Sequence, residues 1–91
     1  MKSATLPSFW DNYKTLNEDI KRRARKTFLL WMQNPFHPLL HFKCINVSEN
    51  LWSVRISLGY RAIDIWEGDI VTWFWIGSHD DYEKNSGKAL I

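Results

Sequence analysis

The sequence predicts an α+β domain in which an N-terminal helical hairpin packs on a small, twisted, mainly antiparallel sheet. Apolar residues recur at helical spacing up to Asn34, whereas the segments from His41 onward are short strand-like runs separated by turn residues. Helices followed by strands are typical of α+β proteins, in which the helices cover one face of the sheet. With 91 residues, the chain has the length of a single domain, which we assign to residues 1–91.

The first helix is predicted to begin at Pro7, because proline is favoured in the first turn of a helix. Its apolar residues recur at helical spacing and are Phe9, Tyr13 and Leu16. A short strand is expected before this helix, at residues 2–5.

Asn17 is predicted to cap the second helix, with the carboxylates of Glu18 and Asp19 favourably placed in its first turn. The apolar stripe of this helix is formed by Ile20, Ala24, Phe28 and Trp31. The helix should end at Asn34, because the residue before Pro35 avoids the α region. The link between the two helices is short, so they predict an αα-hairpin.

Four strands are predicted after a loop at residues 36–41, and they span residues 41–47, 51–58, 60–66 and 69–76. The second of these alternates with period two. One of its faces carries Trp52, Val54 and Ile56, and the other carries Ser53, Arg55 and Ser57. The last strand is apolar almost throughout, which is typical of a strand covered on both faces and placed centrally in its sheet.

The first β-hairpin carries two arginines whose relative positions depend on its register. Gly59 is expected to supply the positive φ that a hairpin tip requires. If the loop has three residues, Arg55 lies directly opposite Arg61, and like charges in that position destabilise a sheet unless an anion binds between them. If the loop has two residues, Arg61 faces Ile56 and the arginines are only diagonal neighbours. Without an anion, the same residues are two solvated arginines on an exposed face.

Composition excludes several classes of protein. Six tryptophans and five phenylalanines supply a core for a short chain, so a disordered tail is excluded. The net charge of +2 permits nucleic-acid binding without requiring it. Cys44 is the single cysteine, which excludes an internal disulfide, and we expect a small buried strand residue there.

The chain has no motif for a metal ion, another cofactor or a membrane. No cluster of histidine, cysteine or acidic residues has the spacing of metal ligands, so no metal and no other cofactor is expected. No apolar run approaches the length of a membrane span, and the N-terminus lacks the apolar region of a signal peptide. We therefore expect no membrane partner and a cytoplasmic location.

His79 follows the last predicted strand and is the histidine best placed for chemistry. Histidine suits general acid or base work near neutral pH, although a capping role is the alternative. His37 and His41 are interpreted as structural or solvated, since no third ligand shows metal spacing. Lys43 points to one face of its strand. If that face also carries Arg55 and Arg61, the site has three cations.

The second helix has a basic surface away from its apolar stripe, formed by Lys21, Arg22, Arg25 and Lys26. This basic surface can bind the phosphates of RNA, or it can be the solvated face of an amphipathic helix. In the last strand, Trp73 and Trp75 are two residues apart, so alternation predicts that they share a sheet face. They are interpreted as core or as a surface for a partner.

Three segments resemble a known family: NPFHPLLHFK at residues 34–43, LWSVRISLGYRAI at residues 51–63, and GDIVTWFWIGSHDDY at residues 68–82. With GYR after a VRI strand and GSH after the last strand, the chain resembles the RelE/ParE superfamily of toxins from bacterial toxin–antitoxin pairs. The similarity covers almost the whole chain, including both helices. It implies a small twisted sheet packed against an N-terminal helical hairpin.

The RelE branch of this superfamily enters the ribosomal A site and cuts mRNA without a metal ion. The resemblance implies that the ribose 2′-hydroxyl attacks the neighbouring phosphate while basic side chains manage charge and protons. The family's site positions correspond to Arg55, Arg61 and His79, with Arg61 on the scissile phosphate, Arg55 assisting, and His79 as general base or acid. Lys43 and Tyr82 would position the substrate or the leaving 5′-oxygen, and the basic surface would contact ribosomal RNA.

The chain departs from RelE itself at two positions, where Ser53 replaces a lysine and His79 replaces an arginine. The ParE branch shares the fold but targets DNA gyrase. Two alternatives therefore stand beside mRNA cleavage, namely a non-catalytic gyrase inhibitor and an inactive member that only binds its antitoxin. The expected partners are a cognate antitoxin, together with the ribosome and mRNA, or DNA gyrase. The antitoxin is expected on the basic helical hairpin and the aromatic sheet around Trp73 and Trp75.

Overall fold

The computed structural model describes residues 1–83 of the chain. Within that range the helices are α1 (Pro7–Tyr13), α2 (Glu18–Gln33) and α3 (His79–Glu83), with a short 3-10 helix at Pro38–Leu40. The strands are β1 (Lys2–Thr5), β2 (Lys43–Asn46), β3 (Leu51–Ser57), β4 (Tyr60–Glu67) and β5 (Ile70–Ser78). These elements confirm the α+β class and its N-terminal helical hairpin.

The strands form one sheet in the order β1-β5-β4-β3-β2. β1 runs parallel to β5, and the other neighbouring strands pair antiparallel, which confirms a mainly antiparallel sheet. The middle position belongs to β4. β5, which the sequence places centrally, is its neighbour and is also paired on both sides.

The helical hairpin is bounded by the residues that the sequence indicates. Asn17 Oδ1 accepts a hydrogen bond from the Ile20 N–H at 2.9 Å, which satisfies an N–H group in the first turn of α2. α2 ends at Gln33, before the proline-restricted Asn34. α1 ends earlier than its apolar spacing predicts, so Leu16 lies in the link and packs against the core from there. Of the helices in residues 1–83, none is both long and apolar enough to cross a membrane.

The two faces of the sheet are covered unequally. α2 packs on one face, here called the helix face, where the rings of Trp31 and Phe28 meet Trp73 edge-to-face at 5.3 and 4.9 Å between centroids. The sheet contributes to this core Val54, Ile56, Ala62, Val71, Trp73 and Ile76. The other face, here called the open face, carries a smaller cluster formed by Leu51, Ile63 and Tyr82.

The hairpin between β3 and β4 combines both predicted registers. Ser57 pairs with Tyr60, so the loop has two residues. Arg55 nevertheless pairs with Arg61, because Ile56 is an extra residue on β3. A β-bulge of this kind sets two residues of one strand against one residue of its partner. The bulge therefore restores the direct pairing of the two arginines.

A second bulge separates the two tryptophans of β5, so the prediction that they share a face is wrong. Ile63 pairs with Trp75, whereas the next residue of β4, Asp64, pairs with Trp73. Phe74 is therefore an extra residue. Trp73 enters the core of the helix face, where it is 0% exposed, and Trp75 packs against the open-face cluster.

Left-handed backbone occurs at positions other than the predicted one. Gly59 does not have a positive φ, so that prediction is also wrong. Gly68, in the turn between β4 and β5, has a φ of 61° and uses the freedom of glycine instead. Within residues 1–83, two residues with side chains also adopt positive φ, and they are His41 at 46° and Asn50 at 54°.

A carboxylate lies in the core on the helix face. Asp64 is 0% exposed, and within residues 1–83 neither of its carboxylate oxygens has a hydrogen-bond partner. The Nε1 of Trp31 is buried there as well and has no hydrogen-bond partner in the described part of the chain. Burial raises the pKa of Asp64 to about 8, because the ionised carboxylate is the costlier form to remove from water. Asp64 is therefore mainly protonated at neutral pH.

Candidate functional site

Two arginines stand side by side on the open face of the sheet. Arg55 on β3 pairs directly with Arg61 on β4, so both side chains leave neighbouring strands on the same face. Partial burial lowers the pKa of Arg61, and the charge of Arg55 lowers it further. This pair concentrates positive charge where water is partly excluded, which favours an anionic ligand.

Arg61 is fixed by the backbone of its own hairpin. Its Nη1 shares its two hydrogens among three carbonyl oxygens, those of Ser57 at 2.6 Å, Leu58 at 3.2 Å and Tyr60 at 2.9 Å. From the sequence, an arginine near a hairpin tip is expected to contribute little to stability, yet these bonds make Arg61 part of the turn. The guanidinium has further N–H donors on its other nitrogens with which an anion can be bound.

His79 lies where β5 ends and α3 begins. Its backbone N–H donates to the carbonyl oxygen of Gly59 at 2.7 Å, which ties this strand end to the hairpin that carries Arg61. The ring Nε2 lies 3.4 Å from Oε1 of Glu83, one turn along α3, and 44% of the side chain is exposed. The structure therefore brings His79 to the hairpin and leaves its ring accessible to a ligand.

Tyr82 completes the open-face cluster and is mostly buried, at 9% exposed. The centroid of its ring lies 5.7 Å from the ring of His79 and 6.5 Å from that of Trp75. Its hydroxyl donates to Oγ of Ser53 at 3.3 Å. Ser53 is thus a buried polar neighbour of the site to which sequence reasoning gave no role.

Lys43 shares the open face with the two arginines. It pairs with Ser53 across β2 and β3, and Ser53 lies two residues from Arg55 on the regular part of β3. The condition for three cations on one face is therefore met. Cys44, the next residue of β2, is exposed and not buried as expected, since β2 is an edge strand.

A histidine that sequence reasoning left outside the site lies beside Arg55. Nε2 of His41 is 3.3 Å from Nη1 of Arg55. His41 is two residues before Lys43, so extending the pairing of Lys43 with Ser53 by two residues sets it opposite Arg55. His41 precedes β2, so its nearness to Arg55 becomes apparent only when the register of β2 with β3 is known.

The basic surface of α2 lies apart from the open face. α2 covers the helix face, on the other side of the sheet from Arg55 and Arg61. Its charge is also partly paired, because Arg22 contacts Asp19 at 2.6 Å and Lys21 lies 3.6 Å from Glu18. The structure thus keeps one predicted set away from the arginine pair, namely Lys21, Arg22, Arg25 and Lys26.

Across residues 1–83, no group of three or more histidine, cysteine or acidic side chains is arranged to hold a metal ion. The groups that converge on the open face are cationic side chains, two imidazoles and two hydroxyls. Such a set can bind a phosphodiester, stabilise added negative charge on it, and move protons.

No family model and no curated protein matches the sequence, but solved structures match the fold. A chain of the RelB–RelE antitoxin–toxin complex from Methanococcus jannaschii has a TM-score of 0.73 at 15% identity, over 89% of this chain and 95% of that chain. YafQ from E. coli strain BL21(DE3) has a TM-score of 0.72 at 10% identity, over 89% and 96%. A YoeB/ParE toxin from Agrobacterium tumefaciens has a TM-score of 0.68 at 19% identity, over 87% and 99%.

The chain has the fold of the RelE/ParE superfamily of toxins. This RelE/ParE fold spans nearly the full length of each matched chain, and it confirms the helical hairpin and sheet that the sequence resemblance implies. At these identities the likeness concerns the fold, so roles for Arg55, Arg61 and His79 rest on where this chain places them.

Proposed function

We propose that the chain is the toxin of a toxin–antitoxin pair and that it cleaves mRNA on the ribosome without a metal ion. The observation that carries this proposal is the direct pairing of Arg55 with Arg61 on the open face, with His79 tied to the same hairpin. Opposed like charges destabilise a sheet. A phosphodiester between them offsets that cost and matches the planar donor geometry of arginine.

Cleavage begins with attack of the ribose 2′-oxygen on the adjacent phosphorus. A base takes the proton of the 2′-hydroxyl, the bond between phosphorus and the 5′-oxygen breaks, and an acid protonates that oxygen. The upstream fragment ends in a 2′,3′-cyclic phosphate and the downstream fragment begins with a 5′-hydroxyl. The pentavalent phosphorus carries extra negative charge on the way, and stabilising such charge is usually the largest contribution to catalysis.

The residues of the open face suit separate roles in this reaction. Arg61, already held by three carbonyl oxygens, stabilises the charge on the phosphate with little reorganisation. Arg55 assists from the neighbouring strand, and His79 acts as general base or acid. Lys43 and Tyr82 position the substrate and the leaving 5′-oxygen.

The ribosome is the proposed macromolecular target, which places the protein in the cytoplasm. The basic surface of α2 contacts ribosomal RNA, because lysine and arginine side chains bind phosphates independently of sequence. It lies on the other side of the sheet from the open face, so one surface can hold the ribosome while the other holds mRNA.

Two other functions share this fold. A ParE-type inhibitor of DNA gyrase is one alternative, and one of the matched structures carries the name YoeB/ParE toxin. An inactive chain that only binds its antitoxin is the other. The arginine pair favours mRNA cleavage, since neither alternative calls for two opposed cations beside an accessible histidine.

Inducing the chain without an antitoxin separates the three functions. Protein synthesis should stop, translated mRNA should be cut, and DNA supercoiling should stay unchanged. Arg55→Gln should restore protein synthesis and prevent the cutting of mRNA. Arg23→Gln, the same substitution on α2 across the sheet, should leave both effects of the chain in place. A change in supercoiling with continued translation would favour gyrase inhibition, and no effect of the expressed chain would favour the inactive function.

The ends of the RNA products test the chemistry. Upstream fragments should carry a 2′,3′-cyclic phosphate or the 3′-phosphate formed when it hydrolyses, and downstream fragments should carry a 5′-hydroxyl. A 3′-hydroxyl end would instead indicate water activated by a metal ion, and it would overturn the mechanism.

The proposed partner of the free toxin is a cognate antitoxin, and one matched structure is an antitoxin–toxin complex. The helical hairpin borders a groove of about 400 Å³ whose apolar lining includes Trp10, Leu29 and Met32, with Arg25 at its side. These three apolar side chains are at least half exposed. An antitoxin segment with apolar anchors and acidic residues fits this groove and the adjacent basic surface. Trp73 is buried in the core, so it cannot belong to the predicted antitoxin surface around Trp73 and Trp75.

A further inference from the structure

The contact between His41 and Arg55 fixes the protonation state of the histidine. A guanidinium has N–H donors and no acceptor, so at 3.3 Å Nη1 of Arg55 donates and Nε2 of His41 accepts. Nε2 can accept only when it carries no proton. The imidazole in this contact is therefore neutral, with its proton on Nδ1.

The backbone holds His41 in this place at some conformational cost. Its φ of 46° and ψ of 40° lie in the left-handed region, where residues with a Cβ are strained and histidine is tolerated better than most. The residues on either side, Leu40 and Phe42, are buried in the core. They anchor the chain while His41 itself remains exposed, and its left-handed backbone follows from its place as the C-cap of the 3-10 helix, where its N–H donates to the carbonyl oxygen of Pro38.

Protonation of His41 would reverse the sign of the contact. Arg55 on β3 contacts its ring, and strand pairing sets two further cations on the same face, Arg61 on β4 and Lys43 on β2. An imidazolium has no free acceptor for Arg55 and adds a fourth positive charge to the group. Protonation of the ring would therefore release Arg55 from its place.

From this geometry we infer that His41 is a positioning residue that holds Arg55 beside Arg61, and that it makes the placement of Arg55 dependent on pH. The consequence for cleavage rests on the proposed function, whereas the contact itself can be tested in the free protein. A bound phosphodiester would be held by both arginines when His41 is neutral and by Arg61 mainly when it is protonated.

The tautomer of each ring tests the contact directly. Nitrogen-15 NMR of the free protein at alkaline pH should show neutral His41 with its proton on Nδ1. His37 provides a matched control, because its Nδ1 accepts from the Leu39 N–H at 3.1 Å and its proton must therefore lie on Nε2. Arg55→Met should change the tautomer population of His41 and leave that of His37 unchanged. An unchanged tautomer population of His41 would refute the inference, whether or not the chain cleaves mRNA.

Cleavage rates against pH test the consequence. His41→Gln keeps an acceptor that does not titrate, so it should keep cleavage at neutral pH and lose less of it on mild acidification than the unsubstituted chain. His41→Asn tolerates the left-handed backbone but is too short to reach, and it should lower kcat about 10- to 100-fold, the range expected for a misplaced group. The folded fraction of both variants should be checked by thermal unfolding.

The two experiments separate the possible failures. If the unsubstituted chain cleaves mRNA but His41→Gln loses its cleavage rate on acidification to the same extent, the positioning role is refuted while the proposed function stands. If the unsubstituted chain does not cleave at all and the tautomer shift is present, the proposed function fails while the contact between His41 and Arg55 is established.

Discussion

Arg61 stabilises its own hairpin and also belongs to the proposed site. Its guanidinium binds three carbonyl oxygens of the hairpin and also faces Arg55 across the strand pair. Hydrogen bonds from a charged donor contribute more than neutral ones. The residue that the proposal assigns to the phosphate is thus fixed before the substrate arrives.

Arg61→Ala should abolish mRNA cleavage and also lower the free energy of unfolding by about 1–2 kcal/mol, because the three carbonyl oxygens lose a charged donor. Cleavage in a purified translation system and urea unfolding measure the two effects. Arg23→Ala on α2, where the lost partner is the exposed Asp19, serves as the control and should change neither much. Full cleavage by Arg61→Ala would remove this residue from the site.

His79→Ala should slow cleavage by about 10²–10⁴-fold, the usual contribution of a general acid or base. The unfolding free energy should change little, since the His79 ring is 44% exposed and its backbone bond to Gly59 is retained. Single-turnover rates on ribosomes carrying mRNA provide the measurement. A rate within a few-fold of the unsubstituted chain would exclude a proton-transfer role for this histidine.

Asp64 should make stability fall as the pH rises. Its pKa is about 8 in the folded chain against an ordinary value of 3.8, so between those values the folded state holds a proton that the unfolded state has lost. The free energy of unfolding is greatest at pH 3.8 and below, and it declines as the pH rises to about 8. The decline is up to about 1.4 kcal/mol per pH unit. Above a pH of about 8 the carboxyl group is ionised in both the folded and the unfolded state, so its contribution to stability stops changing.

Asp64→Asn should therefore flatten the pH dependence of stability. The amide has the shape of the carboxyl group but does not titrate, so the variant should gain on the unsubstituted chain as the pH rises from about 4 to 8. Urea midpoints measured across that range give the comparison. Parallel curves for the two chains would show that Asp64 is not protonated in the folded state.

At the scale of elements, the bulges decide which side chains meet. The helices and strands follow from periodicity and capping, since Asn17 and Pro35 mark the ends of α2 as the sequence predicts. The extra residues Ile56 and Phe74 could not be predicted, because a one-residue shift leaves the alternation within each half-strand intact. That shift sets Arg55 opposite Arg61 and sends Trp73 and Trp75 to opposite faces.

The same limitation explains the missed residues of the candidate site. His41 joins Arg55 only through the pairing of β2 with β3, and Ser53 meets Tyr82 only once α3 folds back on the open face. Both contacts link segments distant in sequence. Periodicity describes one strand at a time, so it identifies the arginines and His79 but not their neighbours.

The end of β5 should tolerate no side chain at Gly77. A Cβ there would lie 2.6 Å from Cζ2 of Trp75, and Gly77 pairs with Arg61 in the sheet. Gly77→Ala should therefore cost about 1–3 kcal/mol of unfolding free energy, as overpacking does, and slow cleavage by moving Trp75. Gly59→Ala is the matched control, because a Cβ at Gly59 meets nothing within 4 Å. Equal stability of the two variants would contradict this packing.

At the scale of the whole molecule, charge and apolar surface are distributed between two sides of the sheet. The helix face supports the hairpin with its basic surface and its groove around Trp10, whereas the open face carries the arginine pair. The antitoxin and ribosomal RNA are therefore assigned to the helical side, and mRNA is assigned to the open face.

Reversing the charge of the basic surface should slow antitoxin capture at low salt by about 10-fold or more, because steering between opposite charges raises association rates. The variant carries Glu at Lys21, Arg22, Arg25 and Lys26. Stopped-flow mixing with the proposed antitoxin, sought as the product of a neighbouring open reading frame, measures the rate. Trp10→Ala should instead speed dissociation, since it removes an apolar anchor without changing charge. An unchanged association rate at low salt would place the docking surface elsewhere.

The separation of the two sides bears on how neutralisation would work. An antitoxin seated on the helical hairpin leaves Arg55, Arg61 and His79 uncovered, because the whole thickness of the sheet stands between them. Such a complex would be silenced because the antitoxin occupies the basic surface proposed for ribosomal RNA, while the open face would still be able to bind a dinucleotide free in solution. The neutralised toxin would then be an intact enzyme kept away from the ribosome, and not one whose site is blocked.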